Sequence, residues 1–428
     1  MRRLLSCLAV AAVTTAGCTS GSDEAAPEED FQPAAAPQIE VDLLQELDEP
    51  VRVGVVLTSS GPRGEGAEFA ALAAGARVAE FRLDEPDADR VQLEVVDDRG
   101  TAEGALAATE QLVTSGVAGI VYASAGAHLD PALAAAEVAG TAVLLPYDPR
   151  ESAAGATTWR TGPSEGQVAD RVAELLAERA QRAPLVLTAE GQGAGLPELA
   201  DPSRVAALTA GDALVPQVSS AAAALTSGGA DGVVVAASAP TSAETVAALQ
   251  AVAPTVPVVL GPAALAPAFA GTLTDLGASG GATTAGQFFT VGPAATDTSA
   301  EDGVVRFLAA VRLAAQDVEL TSLDGATGFG QAGAATADVR GHDAVLAIAA
   351  AAAAAGSASP SAVLDALREL DLDAADGLAG PALSFTAGSQ ALDDDGVAVL
   401  QGTTRGAGRG VEEDAPALSW FVLPTGTP

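Results

Sequence analysis

The chain contains no lysine; all 20 of its basic residues are arginine. That excludes Schiff-base catalysis and the phosphate-gripping lysine of a P-loop. Cysteine is almost as scarce, with Cys7 and Cys18 alone. Histidine occurs only as His128 and His342, too few for a histidine-rich metal site. Neither a metal nor a cofactor is expected. Positive charge is short overall, since 20 Arg against 56 Asp and Glu leaves a formal net charge of −36. Such a chain is not expected to bind nucleic acid or an anionic lipid surface by charge. The surplus acid reads as solubility of an exposed protein in salty surroundings. The composition, rich in Ala and Arg and free of Lys, reads as high-GC coding bias.

What is present begins with "MRRLLSCLAVAAVTTAGCTS". Arg2 and Arg3, an apolar stretch from Leu4 to Val13 and the small residues Thr15-Ala16-Gly17 form an export signal, too short for an ordinary membrane span. The cysteine directly after Ala-Gly resembles a bacterial lipoprotein signal, in which Cys18 becomes the lipidated first residue. The usual Leu three positions before it is Thr15 here, and an ordinary cleaved signal with an incidental cysteine is the alternative. Residues 1–17 are thus read as signal and Cys18 as the anchor of an extracytoplasmic protein that touches the membrane only through lipid. Cys7 leaves with the signal, so no intramolecular disulfide is expected. Residues 18–50, rich in Ser, Gly, Pro, Ala and acid, read as a disordered acidic tether. A short apolar rhythm between Asp42 and Leu47 suggests at most one helical turn. Roughly 380 residues follow the tether, enough for two domains.

From Val51 strands and helices alternate. "VRVGVVLT" (51–58) reads as a strand, "SSGPRGEG" (59–66) as a loop and "AEFAALAAGARVAEFRL" (67–83) as a helix. "VQLEVVDD" (91–98) is the next strand and "TAEGALAATEQLVTSG" (101–116) a helix, with Thr101 as N-cap and Gly116 past its end. "GIVYASAGAHLDPALAAAEVAGTAVLLPY" (119–147) reads as strand, loop, helix, strand. Such alternation builds a parallel sheet covered on both faces. The pattern restarts with a helix at 167–180 and a strand at 183–190, then a loop at 191–200 that enters a helix. Strand, helix and strand follow at 231–238, 242–253 and 256–262. Residues 340–370 read as two helices joined by a Gly-Ser-Pro turn, 380–401 as a closing hairpin region and 417–424 as a last strand. Two α/β lobes fit this better than one long sheet.

The order of these pieces resembles the type 1 periplasmic binding proteins, in particular the Leu/Ile/Val-binding family of ABC importers. "VRVGVVLTSSGPRGEG" is similar to that family's opening strand and Ser-Gly-Pro loop. "LEVVDDRGTAEGALAATEQLVTSGVAGIV" is similar to its paired-aspartate strand, helix and next strand, and "AAAEVAGTAVLLPY" to its helix and Pro-ended strand. "TWRTGPSEGQVAD" resembles its crossing between lobes, and "GHDAVLAIAAAAAAAGSASPSAVLDALREL" with "GLAGPALSFTAGS" its late helices and Gly-Pro strand. The resemblance covers most of residues 51–400. It implies two doubly wound parallel-sheet lobes joined by three crossovers, near 160–166, 288–294 and 374–381. One lobe is then 51–163 with 293–375, the other 164–292 with 376–428. It also implies a cleft at the carboxyl ends of the strands that closes on a ligand by a hinge.

In relatives, the loop equivalent to 123–128 and the segment after the proline offer hydroxyls and backbone N–H groups to a ligand carboxylate, as suits an anion at a helix start. Here Ser124 and His128 are the loop's polar side chains, and Gly126 stands where the family tends to carry serine. Tyr147 and Asp148 follow Pro146. An aspartate there repels a carboxylate unless it pairs with a cation, so a neutral or cationic solute is favoured. The expected aromatic walls fall on Gln192 and Ser238, and the acid that would hold an ammonium falls on Ala263. Ser60 and Arg63 in the first loop complete the candidate contacts, although Arg63 reads equally as a surface arginine. His128 reads as a ligand contact or as a cap of the helix beginning near Asp130, and His342 as helix-start chemistry. Asp97-Asp98 reads as a turn device, and "GQGAGL" lacks dinucleotide spacing. A Ser-His-Asp triad would need one of only two histidines, so no enzymatic activity is expected. The expectation is a monomeric solute-binding lipoprotein delivering a small ligand (amino-acid-like, amide or other small polar solute) to an ABC permease. The alternatives are a ligand sensor on the same fold and a diverged structural copy without transport.

Overall fold

The Val-rich runs are strands buried on both faces, which is the burial a parallel ladder imposes. The computed structural model describes residues 38–47, 49–60, 66–84, 88–404 and 418–423. The first five strands are β1 (Val51–Leu57), β2 (Val91–Asp97), β3 (Gly119–Ala123), β4 (Ala142–Leu145) and β5 (Thr158–Arg160). They form one all-parallel sheet in the order β2-β1-β3-β4-β5, with Val53 facing Leu93 on one side and Gly119 on the other. The next five are β6 (Pro184–Ala189), β7 (Val205–Leu208), β8 (Gly232–Ala236), β9 (Val258–Leu260) and β10 (Phe288–Pro293). They repeat the same parallel order as β7-β6-β8-β9-β10. Of the last four, β11 (Asp371–Leu372) and β12 (Leu383–Ser384) form a small two-stranded antiparallel sheet. β13 (Val397–Thr403) and β14 (Ser419–Val422) extend the second sheet antiparallel beyond β10.

Helices cover both sheets: α1 (Ala74–Leu83), α2 (Ala102–Ser115), α3 (Asp130–Ala139), α4 (Glu165–Glu178), α5 (Leu214–Thr226), α6 (Ala239–Val252), α7 (Pro267–Ala278), α8 (Asp302–Ala314), α9 (Gly333–Thr336), α10 (Val339–Ala355) and α11 (Pro360–Leu367). Alternate residues of each strand serve opposite faces. Val55, Val121 and Leu144 meet α1 and α10, whereas Val56, Ile120 and Val143 meet α2 and α3. In the second sheet Val186, Val234 and Val259 meet α4, and Leu187, Val233 and Val235 meet α5, α6 and α7. Helix α10 is buried from Val339 to Ala352, and its alanines let it lie close to its neighbours. Gly75 of α1 marks the tightest approach, since a Cβ there would stand 1.9 Å from the Asp338 carbonyl oxygen. Among the described residues no single helix is long and apolar enough to cross a membrane.

Several local expectations need correction. The stretch read as tether is packed from residue 38 onward. Ile39, Leu44 and Leu47 are buried, and Arg82 holds the Ile39 carbonyl at 2.8 Å. Their apolar side chains have a hydrophobic wall to cover, which outweighs the polar composition around them. The helix expected over 67–83 is broken into a 3₁₀ turn at Ala67–Phe69 and α1. Only a 3₁₀ turn, Leu196–Leu199, follows the 191–195 loop. Residues 380–401 make no regular hairpin: Leu383 and Leu392 form an isolated bridge, and β13 goes on to the second sheet. Ser389–Ala391 run along Arg160 at the edge of the first sheet, although the expected boundary at 376 would put them with the second. Residues 288–293 are β10 itself, so the chain leaves the second sheet only after Pro293. Cys18, Arg63 and residues 405–417 lie outside the described residues.

Candidate ligand-binding site

In both sheets the chain reverses its winding direction beside the first strand, which opens a crevice at the strands' carboxyl ends. The two crevices share one cavity. Ala125 and Gly126 after β3 and Tyr147–Arg150 after β4 line it from one lobe. Gly191–Ala194 after β6, Ala236 at the end of β8, and Pro262 and Ala263 after β9 line it from the other. Gly66, Glu68 and Phe69 close one side, and Glu165 of α4 another. Its empty space, open solvent at the mouth included, is about 670 Å³.

The 123–129 loop holds an internal network. The Ser124 hydroxyl is 3.0 Å from Thr58 Oγ1 and 3.1 Å from His128 Nε2. Asp98, fully buried just past the end of β2, accepts from Thr58 at 2.6 Å and Gly100 N–H at 2.8 Å and lies 3.3 Å from His128 Nε2. Burial works against the Asp98 charge, but these donors outweigh it and hold its carboxyl below the usual range. A serine, a histidine and an aspartate thus do meet, on residues the sequence keeps 26 and 30 positions apart or closer. They form no relay: one ring nitrogen, Nε2, faces both partners, whereas a relay uses a different nitrogen for each. His128 is not a helix cap either, because the N-cap of α3 is Leu129 and no side chain caps it. Neither Ser124 nor His128 lines the cavity.

Two G-x-S-x-G stretches, 162–166 and 277–281, also occur. Ser164 is the N-cap of α4, accepting from Gln167 N–H at 3.2 Å, and Ser279 donates to the Leu276 carbonyl. Both hydroxyls are spent on the backbone of their own helix.

Asp148 is where the structure departs most from expectation. It does line the cavity, but its side chain has no exposed surface and its charge is matched by Arg150. Arg150 Nε lies 3.0 and 3.1 Å from the two carboxylate oxygens and Nη2 2.7 Å from Oδ2. Backbone N–H groups of Arg150 and Gly126 add bonds of 3.1 and 3.4 Å. Gly126 adopts φ +127°, which turns that N–H inward and which an L side chain would resist. Arg150 Nη2 also donates to the Gly126 carbonyl at 2.7 Å, and Nη1 to Asp130 at 2.9 Å. Burial opposes the Arg150 charge, yet Asp148 and Asp130 outweigh it and raise its pKa.

Tyr147 lines the cavity by its ring, stacked on Phe69 at 5.2 Å with the Arg340 guanidinium 4.6 Å from its centroid on the other contact. Burial pushes its phenol well above the usual range. Gln192 lines the cavity from the loop after β6. Ser238 does not; its hydroxyl is 3.1 Å from Thr241 Oγ1 at the start of α6. Ser60 is exposed and bonds Asp97 through its hydroxyl and its N–H. Burial opposes the Asp97 charge, but the donors Ser60, Ser59 and Arg99 together outweigh it and hold its carboxyl down at about 2. The paired aspartates are a turn device, as the sequence suggested. His342 is not helix-start chemistry, since Asp338 caps α10, and it belongs instead to a buried cluster with Arg82 and Asp343.

Arg150, Glu165, Glu68 and Phe69 are cavity residues that sequence reasoning passed over. Arg150 had a signal: the spacing Asp-x-Arg lets one aspartate take both the backbone N–H and the guanidinium two residues on. Asp338 and Arg340 repeat it, with bonds of 2.9 and 2.8 Å. Glu165 sits at the first turn of α4, where burial and then the Asp148 charge raise its pKa.

Two α/β lobes with a cavity between their strand ends define a two-lobed solute-binding protein. The chain belongs to the periplasmic binding protein family, whose model matches residues 50–407. The fold is that of the type 1 members. The isoleucine complex of the branched-chain amino acid transporter substrate-binding protein LivJ from Streptococcus pneumoniae is 17% identical, with TM-score 0.63 over 88% of this chain and 99% of that one. The leucine-binding protein LivK from Thermotoga maritima is also 17% identical, with TM-score 0.59 over 82% and 95%. A fatty acid ABC transporter substrate-binding protein from Thermomonospora curvata is 16% identical, with TM-score 0.61 over 90% and 93%. Among curated proteins no match was found.

Proposed function

We propose that the protein is an extracytoplasmic solute-binding lipoprotein that carries a small polar ligand to an ABC permease, acting as a monomer anchored through Cys18. The observation that supports this most is the cavity itself, because its walls come from both lobes and from loops that follow strand ends. A ligand seated there touches both lobes at once only when they are together, so its binding energy favours the closed form. The relatives named above share the fold at low identity and bind chemically different solutes by their names, so the ligand has to be argued from this chain's own cavity. The test is a thermal-shift panel of amino acids, amides, polyamines and short organic acids on the mature protein. A binder is expected to raise the melting temperature by mass action. A panel in which nothing raises it, repeated at millimolar ligand, would count against a transport receptor.

A further inference from the structure

Resting on that reading of the cleft, we infer that Asp148 is a built-in anion: it occupies the donors that a ligand carboxylate would need, so the ligand carries an amine or amide and no free carboxylate. A carboxylate leaving water for a cavity requires charged or backbone N–H donors in return. Among the described residues lining this cavity, Arg150 is the one cation, and the Gly126 N–H at the turn before α3 is a backbone donor beside it. Both are spent on Asp148. Nη2 also donates to the Gly126 carbonyl and Nη1 to Asp130, so both edges of the guanidinium already hold partners.

A ligand carboxylate would have to displace an internal competitor only two residues along the chain from Arg150. Such a competitor is always present, at an effective concentration no free solute reaches. Displacement would also leave the Asp148 charge unpaired beside the newcomer, with no exposed surface through which water could screen it. Glu165, whose N–H donates to the Pro149 carbonyl at 2.9 Å, adds a second acid to the same wall, and burial with the Asp148 charge raises its pKa. That wall disfavours an incoming anion and offers acceptor oxygens to an ammonium or an amide N–H. The cleft thus answers the electrostatic question from inside.

Removing the built-in anion makes the inference testable as a gain of function. Asp148→Ala keeps Cβ and vacates the space of the carboxylate group alone, which a small acid can fill with its carboxylate while its methyl points into the cavity, and leaves Arg150 and Gly126 N–H open. Acetate, with chloride as the ionic-strength control, is expected to raise the melting temperature of D148A by several degrees and to leave the wild type unmoved. Asp148→Asn keeps volume and one acceptor oxygen without charge, so it should respond to acetate little or not at all. Calorimetry with leucinamide, leucine and 4-methylpentanoate then reads the ligand class. The wild type should prefer leucinamide to leucine by at least tenfold, and D148A should narrow or reverse that ratio. If D148A does not fold, D148N must still narrow it. If the wild type binds none of the three, the acetate response of D148A alone decides the role of Asp148. A folded D148A indifferent to acetate would overturn the inference, as would a wild type that takes leucine or 4-methylpentanoate as tightly as leucinamide. Either result leaves the receptor reading standing, because that reading fails only if no compound of any class closes the lobes.

Discussion

His342 takes its protonation state from its neighbours. Arg82 Nη1 lies 2.8 Å from Nε2, and a guanidinium has only protons to offer, so Nε2 accepts and the ring proton sits on Nδ1. Nδ1 in turn lies 2.7 Å from Asp343, which also accepts from Ala379 and Gly380 N–H. Burial lowers the His342 pKa, with the Arg82 charge assisting. The sign follows: the unfolded chain binds a proton near pH 6.5 and the folded chain resists it, so stability is whole above that pH and falls as pH drops below it. The limiting slope is about 1.4 kcal/mol per pH unit. Asp84 runs the other way, its carboxyl raised to about 6 by burial, so that group favours the folded state as pH falls toward 4. A difference measurement removes it. His342→Gln should lose most of the acid sensitivity between pH 7 and 5, read as urea unfolding of variant and wild type at each pH; equal slopes would rule His342 out. At this scale the sequence was legible where partners are local and illegible where they are distant. Asp97-Asp98 as a turn and Asp148 with Arg150 are grips within two residues, the second overlooked but readable. The meeting of Asp98 with His128, and of Arg82 with His342 across 260 residues, depends on which strands and helices become neighbours. No local pattern carries that.

At the scale of elements, β/α alternation was readable because a strand buried on both faces must be a short Val-rich run, and a covering helix must repeat at helical spacing. The failures lie where a weak local signal meets a strong tertiary demand. The chain before β1 is polar on average, yet Ile39, Leu44 and Leu47 find an apolar wall and pack residues 38–47 against it. Each buried aliphatic side chain contributes about 1.5–3 kcal/mol. A chain beginning at residue 49 should therefore unfold at clearly lower urea than one beginning at residue 38, and equal midpoints would show that the packed stretch adds nothing. The contact between α1 and α10 makes a second prediction. Gly75→Ala puts a methyl carbon 1.9 Å from the Asp338 carbonyl, which neither backbone can yield to without the helices parting. The expected loss is about 1–3 kcal/mol, the range of overpacking, measured by chemical denaturation. Asp338 also grips Arg340, which lies over Tyr147, so the same variant should weaken ligand binding at the cavity wall.

At the scale of the whole molecule, two proposals concern location and motion. If the proposed signal over residues 1–17 is removed, Cys18 is the one thiol left, so Cys18→Ala should move the protein from the membrane fraction to the medium; unchanged fractionation would sink the lipid anchor. Motion is the sharper question, because a receptor that signals occupancy must change shape when it binds. The chain passes between the sheets after β5, after β10 and before β13, and these short links can turn while α10 and the sheets stay rigid. Ser124, buried beneath its loop and outside the cavity, is the wrong place to block closure; filling it would disturb the Asp98 network instead. Ala194 is better placed, exposed on the loop after β6 and part of the cavity wall facing Arg150. A ligand from the thermal-shift panel should reduce the radius of gyration in small-angle scattering, since only the closed form lets it touch both walls. Ala194→Trp should abolish both the compaction and the binding while leaving the melting temperature of the free protein within a few degrees, because an exposed loop position loses no packing. A ligand that still compacts the Ala194→Trp protein would place the site elsewhere. One that binds the wild type without compaction would mean the cleft is a rigid pocket, with no hinge signal for a permease to read.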